Sequence, residues 1–196
     1  MLDIEESDLE IMKKAAKEND YLGMNYYQSR FIQAYDGEND IHHNGTGEKG
    51  TSRFRLKGVG ERMNKEGIDR TDWDWLIHPE SMFDMLVRIK QQYPQYKAIY
   101  ITENGMGYKD DFEDGIIDDT PRIDYVRRHL YYLLKAIEAG VNVKGYFIWS
   151  LMDMFSWTNG YNKDMDYFML IIKHKKDIQK LQLIGIKYIF TNKGMF

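Results

Sequence analysis

The chain has 196 residues, of which 43% are hydrophobic and 14% aromatic, enough to build one substantial core. Its formal net charge is −4. It contains no cysteine, which argues against a disulfide framework and thiolate chemistry. No run of about 18 apolar residues occurs, which argues against a transmembrane helix. Residues 1–20 are charged throughout, unlike a signal peptide, and we expect a soluble cytoplasmic protein.

The first part of the chain predicts a helix, a strand and a long loop. Apolar positions at helical spacing predict a helix over 3–18, and the apolar and aromatic run YLGMNYY predicts a buried strand over 21–27. Residues 36–72 are rich in Gly, Asn, Asp and charge, which predicts a long loop with a short hairpin around SRFRLKGVG.

The second part predicts two further units of helix followed by strand. Helices are predicted over 78–94 and 122–140, and strands over 97–105 and 141–151. Apolar strands that alternate with helices are typical of parallel βα units buried on both faces. Three such strands do not close a (β/α)₈ barrel, which takes about 250 residues. The predicted fold class is therefore α/β, a partial (β/α)₈ barrel.

Polar or aromatic side chains end all three predicted strands, where βα folds collect their active sites. Asn25 and Tyr27 end the first strand, Glu103 the second and Trp149 the third. A carboxylate at the end of an apolar strand is costly to desolvate unless it is used or paired. Glu103 is thus either catalytic or a structural partner of a neighbouring Tyr or Arg, while Tyr27 and Trp149 are either site residues or core.

The loop that follows the last strand offers a second group of candidates. Trp157 presents a flat face that could stack on a sugar ring or pack in the core. Ser156 and Lys163 could hold a phosphate as donor and charge, although most lysines are solvated. The five histidines show no metal-ligand spacing and no Gly-rich phosphate loop opens a helix, so we predict neither a metal nor another cofactor.

Residues 164–196 differ in composition from the rest of the chain. They contain six Lys and three Asp, a net charge of +3 against −7 for residues 1–163. A basic tail on an acidic body is either an arm for nucleic acid or membrane, or a segment foreign to the rest.

Together these motifs resemble glycoside hydrolase family 1, the retaining β-glycosidases. Glu103 lies in ITENG, the nucleophile motif of that family, and the blocks TDWDWLIHPE, RIDYVRRHL, VKGYFIWSLMD and SWTNGYNK follow the family order. The resemblance covers about residues 3–163 and implies the last three βα units of a (β/α)₈ barrel. It also implies hydrolysis of 6-phospho-β-D-galactosides such as lactose 6-phosphate, with no cofactor.

The resemblance assigns a role to each candidate residue. Glu103 would be the nucleophile of a double displacement, Asn25 would bind sugar and Tyr27 would hold the nucleophile. The remaining members are substrate-binding residues: Trp149 and Trp157 at the sugar, and Ser156 and Lys163 at the 6-phosphate. Trp157 favours galacto over gluco substrates. The expected partner is thus a phosphorylated disaccharide, with no nucleic acid and no membrane, and the oligomeric state is left open.

The chain departs from the family pattern in two ways. The acid/base Glu of an Asn-Glu-Pro motif does not occur, so we expect the chain alone to be inactive. After Lys163 the ending that is typical of the family is missing. Permitted codons can be chosen for residues 163–187 that, when read one base out of step, encode this ending. The predicted division is therefore a barrel segment over 1–163 and a frameshifted tail over 164–196. A frameshift also explains the basic charge of the tail, so a nucleic-acid-binding arm is no longer needed to explain it.

Three alternatives stay open at this point. The chain could derive from an enzyme for 6-phospho-β-glucosides, against which Trp157 argues. It could derive from a broader β-glucosidase, against which the pair Ser156 and Lys163 argues. It could also be a non-catalytic gene remnant.

Overall fold

A computed structural model of the chain describes residues 4–42, 51–108, 112–113, 116–150, 168–171 and 176–179. Three predicted site residues, Ser156, Trp157 and Lys163, lie outside the described residues. In chain order the elements are α1 (Glu6–Glu18), β1 (Leu22–Asn25), β2 (Phe31–Gln33), β3 (Asp40–His42), β4 (Arg53–Leu56), β5 (Gly60–Met63), α2 (Glu80–Gln92), β6 (Ile99–Asn104), β7 (Phe112–Glu113), β8 (Ile116–Ile117), α3 (Thr120–Glu138), β9 (Val143–Ile148), β10 (Phe168–Ile171) and β11 (Lys176–Gln179).

Strands β1, β6 and β9 form a parallel sheet in that order. Leu22 is paired with Ile99, and Ile99 in turn with Val143, so the three strands run side by side from the same starting edge. Helix α2 precedes β6 and α3 precedes β9, each as a crossover connection. The predicted series of parallel βα units is confirmed, and every helix and strand in it lies within three residues of the predicted bounds.

The core lies between this sheet and helices α2 and α3. Ile99 and Ile101 of β6 are fully buried, whereas Thr102 is exposed, so the alternation of the strand directs the two isoleucines towards the helices. They belong to a cluster with Leu86 of α2 and Val126 of α3. Burying side chains of this size stabilises the fold by about 1.5–3 kcal/mol each.

The region predicted as a long loop, 36–72, contains three of the four strands of a second sheet, so that prediction was wrong apart from its hairpin. Strands β2, β5, β4 and β3 form an antiparallel sheet in that order, of which only the β4–β5 hairpin was expected. The strands are three or four residues long, and ion pairs between side chains connect neighbouring strands. Arg53 contacts Asp40 at 2.7 Å, and Arg55 contacts Glu61 at 3.0 Å. Because charged cross-strand pairs replace apolar alternation, the segment lacks the period that marks a strand.

The remaining strands pair locally. Strands β7 and β8 form one short antiparallel pair, and β10 and β11 form another within the predicted tail. Among the helices of the described ranges, none is long and apolar enough to cross a membrane. The same ranges hold no group of three or more His, Cys, Asp or Glu side chains that could bind a metal ion.

Candidate active site

The parallel register places the polar ends of β1 and β6 side by side. Asn25 is the Cα partner of Glu103, and the ladder shifts between Met24 and Asn25. Beyond the end of β1, the N–H of Tyr26 donates to the carbonyl of Glu103 at 2.9 Å. The chain therefore continues alongside β6 far enough to bring Tyr27 to the side chain of Glu103.

The phenol of Tyr27 donates a hydrogen bond of 2.5 Å to Oε2 of Glu103. Burial, this hydrogen bond and the negative charge of Glu103 all raise the pKa of Tyr27 well above its usual range. Tyr27 therefore stays protonated and acts as a donor, and a short bond from a hydroxyl to a carboxylate is among the stronger hydrogen bonds in proteins. Tyr26, its neighbour, is buried in the core instead.

The side chain of Asn25 lies at the exposed edge of the same site. Its Oδ1 accepts a hydrogen bond of 2.6 Å from the Thr102 hydroxyl on the neighbouring strand. That contact fixes the orientation of the amide and leaves its Nδ2 as the group able to donate to a ligand.

Trp149, directly after β9, is held against the end of β6. Its N–H donates to the carbonyl of Asn104 at 2.9 Å. A Cβ on Gly105 would lie 2.1 Å from the carbonyl oxygen of Trp149, so this close approach of two main chains requires glycine. The structure thus brings Asn25, Tyr27, Glu103 and Trp149 to one end of the sheet.

Two residues near this group were not singled out from the sequence. The side chain of Asn104 is fully buried, and its Nδ2 donates to the Tyr26 carbonyl at 2.6 Å while its Oδ1 accepts from the phenol of Tyr146. The ring of Trp75 lies 5.4 Å from that of Tyr27, centroid to centroid. Neither role has a local sequence signal, because Asn104 reads as a strand-ending Asn-Gly turn and Trp75 lies in an irregular segment.

The proposed phosphate loop is not part of this geometry. Ser156, Trp157 and Lys163 fall in the range 151–167, which the structure does not describe. Their assignments to sugar and phosphate stay predictions.

Comparison with known proteins gives consistent matches. The sequence model of glycosyl hydrolase family 1 matches residues 1–180. A 6-phospho-beta-galactosidase from Clostridium acetobutylicum is 59% identical over 194 residues, which are 99% of this chain and 41% of that protein. Another, from Streptococcus equi subsp. zooepidemicus, is 52% identical over 179 residues, or 91% of this chain and 38% of that protein.

Among solved structures, a family 1 β-glucosidase from Thermotoga maritima superposes with a TM-score of 0.79 at 27% identity. The superposition covers 98% of this chain and 39% of that one. The chain therefore spans about two fifths of the length of the relatives that it matches. The family match extends past Lys163, and the predicted boundary at that residue stays a prediction.

Proposed function

This chain belongs to glycosyl hydrolase family 1, and on that premise we propose that it carries the nucleophile of a retaining hydrolase for 6-phospho-β-D-galactosides such as lactose 6-phosphate. Its fold is part of a (β/α)₈ barrel. The observation that carries the proposal is the 2.5 Å hydrogen bond from Tyr27 to Glu103 at the strand ends. The two relatives named 6-phospho-beta-galactosidase support the choice of substrate class.

Glu103 would act by double displacement. Because Tyr27 holds Oε2, the other oxygen of the carboxylate is the one that attacks the anomeric carbon. The bond to the leaving oxygen breaks as a carboxylic acid protonates that oxygen, and an ester between Glu103 and the sugar forms. Water then attacks the same carbon, gives its proton to the carboxylate that served as acid, and releases Glu103.

The second carboxyl group of this mechanism lies about 5 Å from the nucleophile in retaining enzymes. The sequence contains no Asn-Glu-Pro triplet to supply it. We therefore place the acid/base in a part of the complete barrel contributed by residues other than these. On this basis the chain alone hydrolyses no glycoside at a useful rate.

The substrate's phosphate would be bound by the loop after β9. Ser156 would donate from its hydroxyl and Lys163 would supply the charge, while Trp149 and Trp157 would contact the sugar.

The test uses a completed protein, in which residues 4–163 of this chain replace the matching residues of the Clostridium acetobutylicum relative. Hydrolysis is measured for four nitrophenyl β-glycosides: galacto and gluco, each with and without the 6-phosphate. We expect the phosphorylated galactoside to have the highest kcat/KM and Glu103→Gln to abolish its cleavage.

Each other outcome identifies an alternative. Preference for the phosphorylated glucoside would assign the chain to that enzyme type, and preference for an unphosphorylated sugar would indicate a broader β-glucosidase. A folded completed protein that cleaves none of the four, while the unmodified relative does, would indicate a non-catalytic remnant.

A further inference from the structure

A buried tyrosine of helix α3, Tyr125, reaches the backbone that carries Tyr27. Its hydroxyl donates to the carbonyl of Tyr27 at 2.9 Å and accepts from Nδ2 of Asn104 at 3.1 Å. One side chain thus joins the residue that donates to Glu103 with the residue that directly follows Glu103.

This contact is shielded from water. Tyr125 is 1% exposed and Asn104 is fully buried, so the hydrogen bond between these two has no solvent to replace it if it is lost. The bond to the carbonyl of the half-buried Tyr27 is shielded from the Tyr125 side. Burial raises the pKa of Tyr125 above its usual range, which keeps the hydroxyl protonated and able to donate. The ring itself packs against His129 with centroids 4.0 Å apart, so removing the hydroxyl alone leaves this packing in place.

The backbone of Tyr27 needs such a contact because it lies beyond the end of β1. The last backbone hydrogen bond between this part of the chain and β6 is from the Tyr26 N–H to the Glu103 carbonyl. From Tyr27 onward the chain leaves the sheet towards β2. A tether on the Tyr27 carbonyl therefore limits how far its phenol can move from Glu103.

We propose that Tyr125 is a positioning residue, which fixes the main chain at Tyr27 so that the Tyr27 phenol stays within hydrogen-bond distance of Glu103. The kinetic part of this inference rests on the proposed function, and the structural part does not. Tyr125 itself touches no reacting atom. It could act through Tyr27 or through Asn104, and in this proposal its effect on catalysis passes through Tyr27.

The test compares Tyr125→Phe with Tyr132→Phe in the completed protein. Tyr132 is on the same helix, and its hydroxyl donates to Glu80 of α2 at 2.9 Å. Each substitution removes one phenol hydroxyl and one donated hydrogen bond, and Tyr125→Phe also removes the bond that the hydroxyl accepts from Asn104. We expect Tyr125→Phe to lower kcat about 5- to 10-fold with little change in KM, and Tyr132→Phe to leave both unchanged.

A double-mutant cycle shows whether Tyr125 acts through Tyr27. We expect Tyr27→Phe combined with Tyr125→Phe to be no slower than Tyr27→Phe alone. Multiplicative losses, or a Tyr125→Phe protein with unchanged kcat, would overturn the inference. A lowered melting temperature with unchanged kinetics would also overturn it, because that result describes a purely structural residue.

Crystal structures of the unsubstituted completed protein and of Tyr125→Phe give a readout that needs no activity. We expect the distance from the Tyr27 hydroxyl to Glu103 to lengthen in the variant, and an unchanged distance would overturn the positioning role. If the unsubstituted protein cleaves none of the four glycosides, the proposed function fails, and this distance still decides the role of Tyr125.

Discussion

Gly105→Ala is expected to separate the ends of β6 and β9. The new Cβ would lie 2.1 Å from the Trp149 carbonyl oxygen and 3.2 Å from its carbon, whereas ordinary contact begins at 3.4 Å. The carbonyl would have to retreat by about 1.3 Å, and the movement would strain the bond from the Trp149 N–H to Asn104. Overpacking costs about 1–3 kcal/mol and a lost hydrogen bond about 1 kcal/mol, so we expect a loss of about 2–4 kcal/mol.

The matched control is Gly23→Ala in the same sheet. Its Cβ would meet the methyl group of Thr102 at 3.3 Å, a side-chain contact that a few tenths of an ångström relieve. We expect a change of less than about 1 kcal/mol there. The assay is urea denaturation of the completed protein, followed by circular dichroism. Equal midpoints for the two variants would contradict the close approach of Gly105 and Trp149.

Three further predictions concern single side chains. Tyr27→Phe removes a hydrogen bond to a charged group, which is worth about 1.5–3 kcal/mol. We therefore expect kcat/KM of the completed protein to fall roughly 10- to 100-fold, with an unchanged circular dichroism spectrum. An unchanged kcat/KM would contradict the role of this hydrogen bond. Burial lowers the pKa of His129 to about 4, below the 6.5 of an unfolded chain, so the unfolded state takes up a proton first as the pH falls. The folded state therefore keeps its full stability from neutral His129 above pH 6.5 and loses it progressively between pH 6.5 and pH 4. We expect a loss of about 3 kcal/mol between pH 7 and pH 4 in urea titrations, which His129→Gln should reduce; equal losses in both proteins would contradict the assignment. Lys163→Met should raise KM for the phosphorylated galactoside about 10-fold or more and leave KM for unphosphorylated substrates unchanged. An equal change in KM for both kinds of substrate would contradict a role of Lys163 in binding the phosphate.

The sequence was most informative where one physical rule dominates. Apolar residues at helical spacing, such as Leu130 and Leu133, marked α3, and the unbroken apolar run around Ile99 marked β6. The two elements face each other across a single core, where burial decides the structure. Apart from its hairpin, the antiparallel sheet was missed because its strands carry charged pairs such as Arg53 with Asp40, and such pairs leave no apolar period in either strand.

The candidate site was predictable as a set of strand ends and not as a set of contacts. The position of Glu103 at the end of an apolar run marked it, and parallel pairing then required Asn25 to be adjacent. The hydrogen bonds of Asn104 and Tyr125 could not be foreseen, because they depend on the packing of α3 against the sheet. Tyr125 reads in the sequence as one more apolar-face residue of a helix.

The contacts that assemble the site join distant parts of the chain. Tyr27 and Glu103 are 76 residues apart, and Tyr125 and Tyr27 are 98 residues apart. Contacts of such long sequence separation form slowly, because the intervening chain must first be ordered. During refolding, therefore, helices such as α3 can form early from local interactions, whereas the phenol–carboxylate pair cannot appear before β1 has docked on β6. Recovery of a competent Glu103 should consequently lag behind recovery of helical signal.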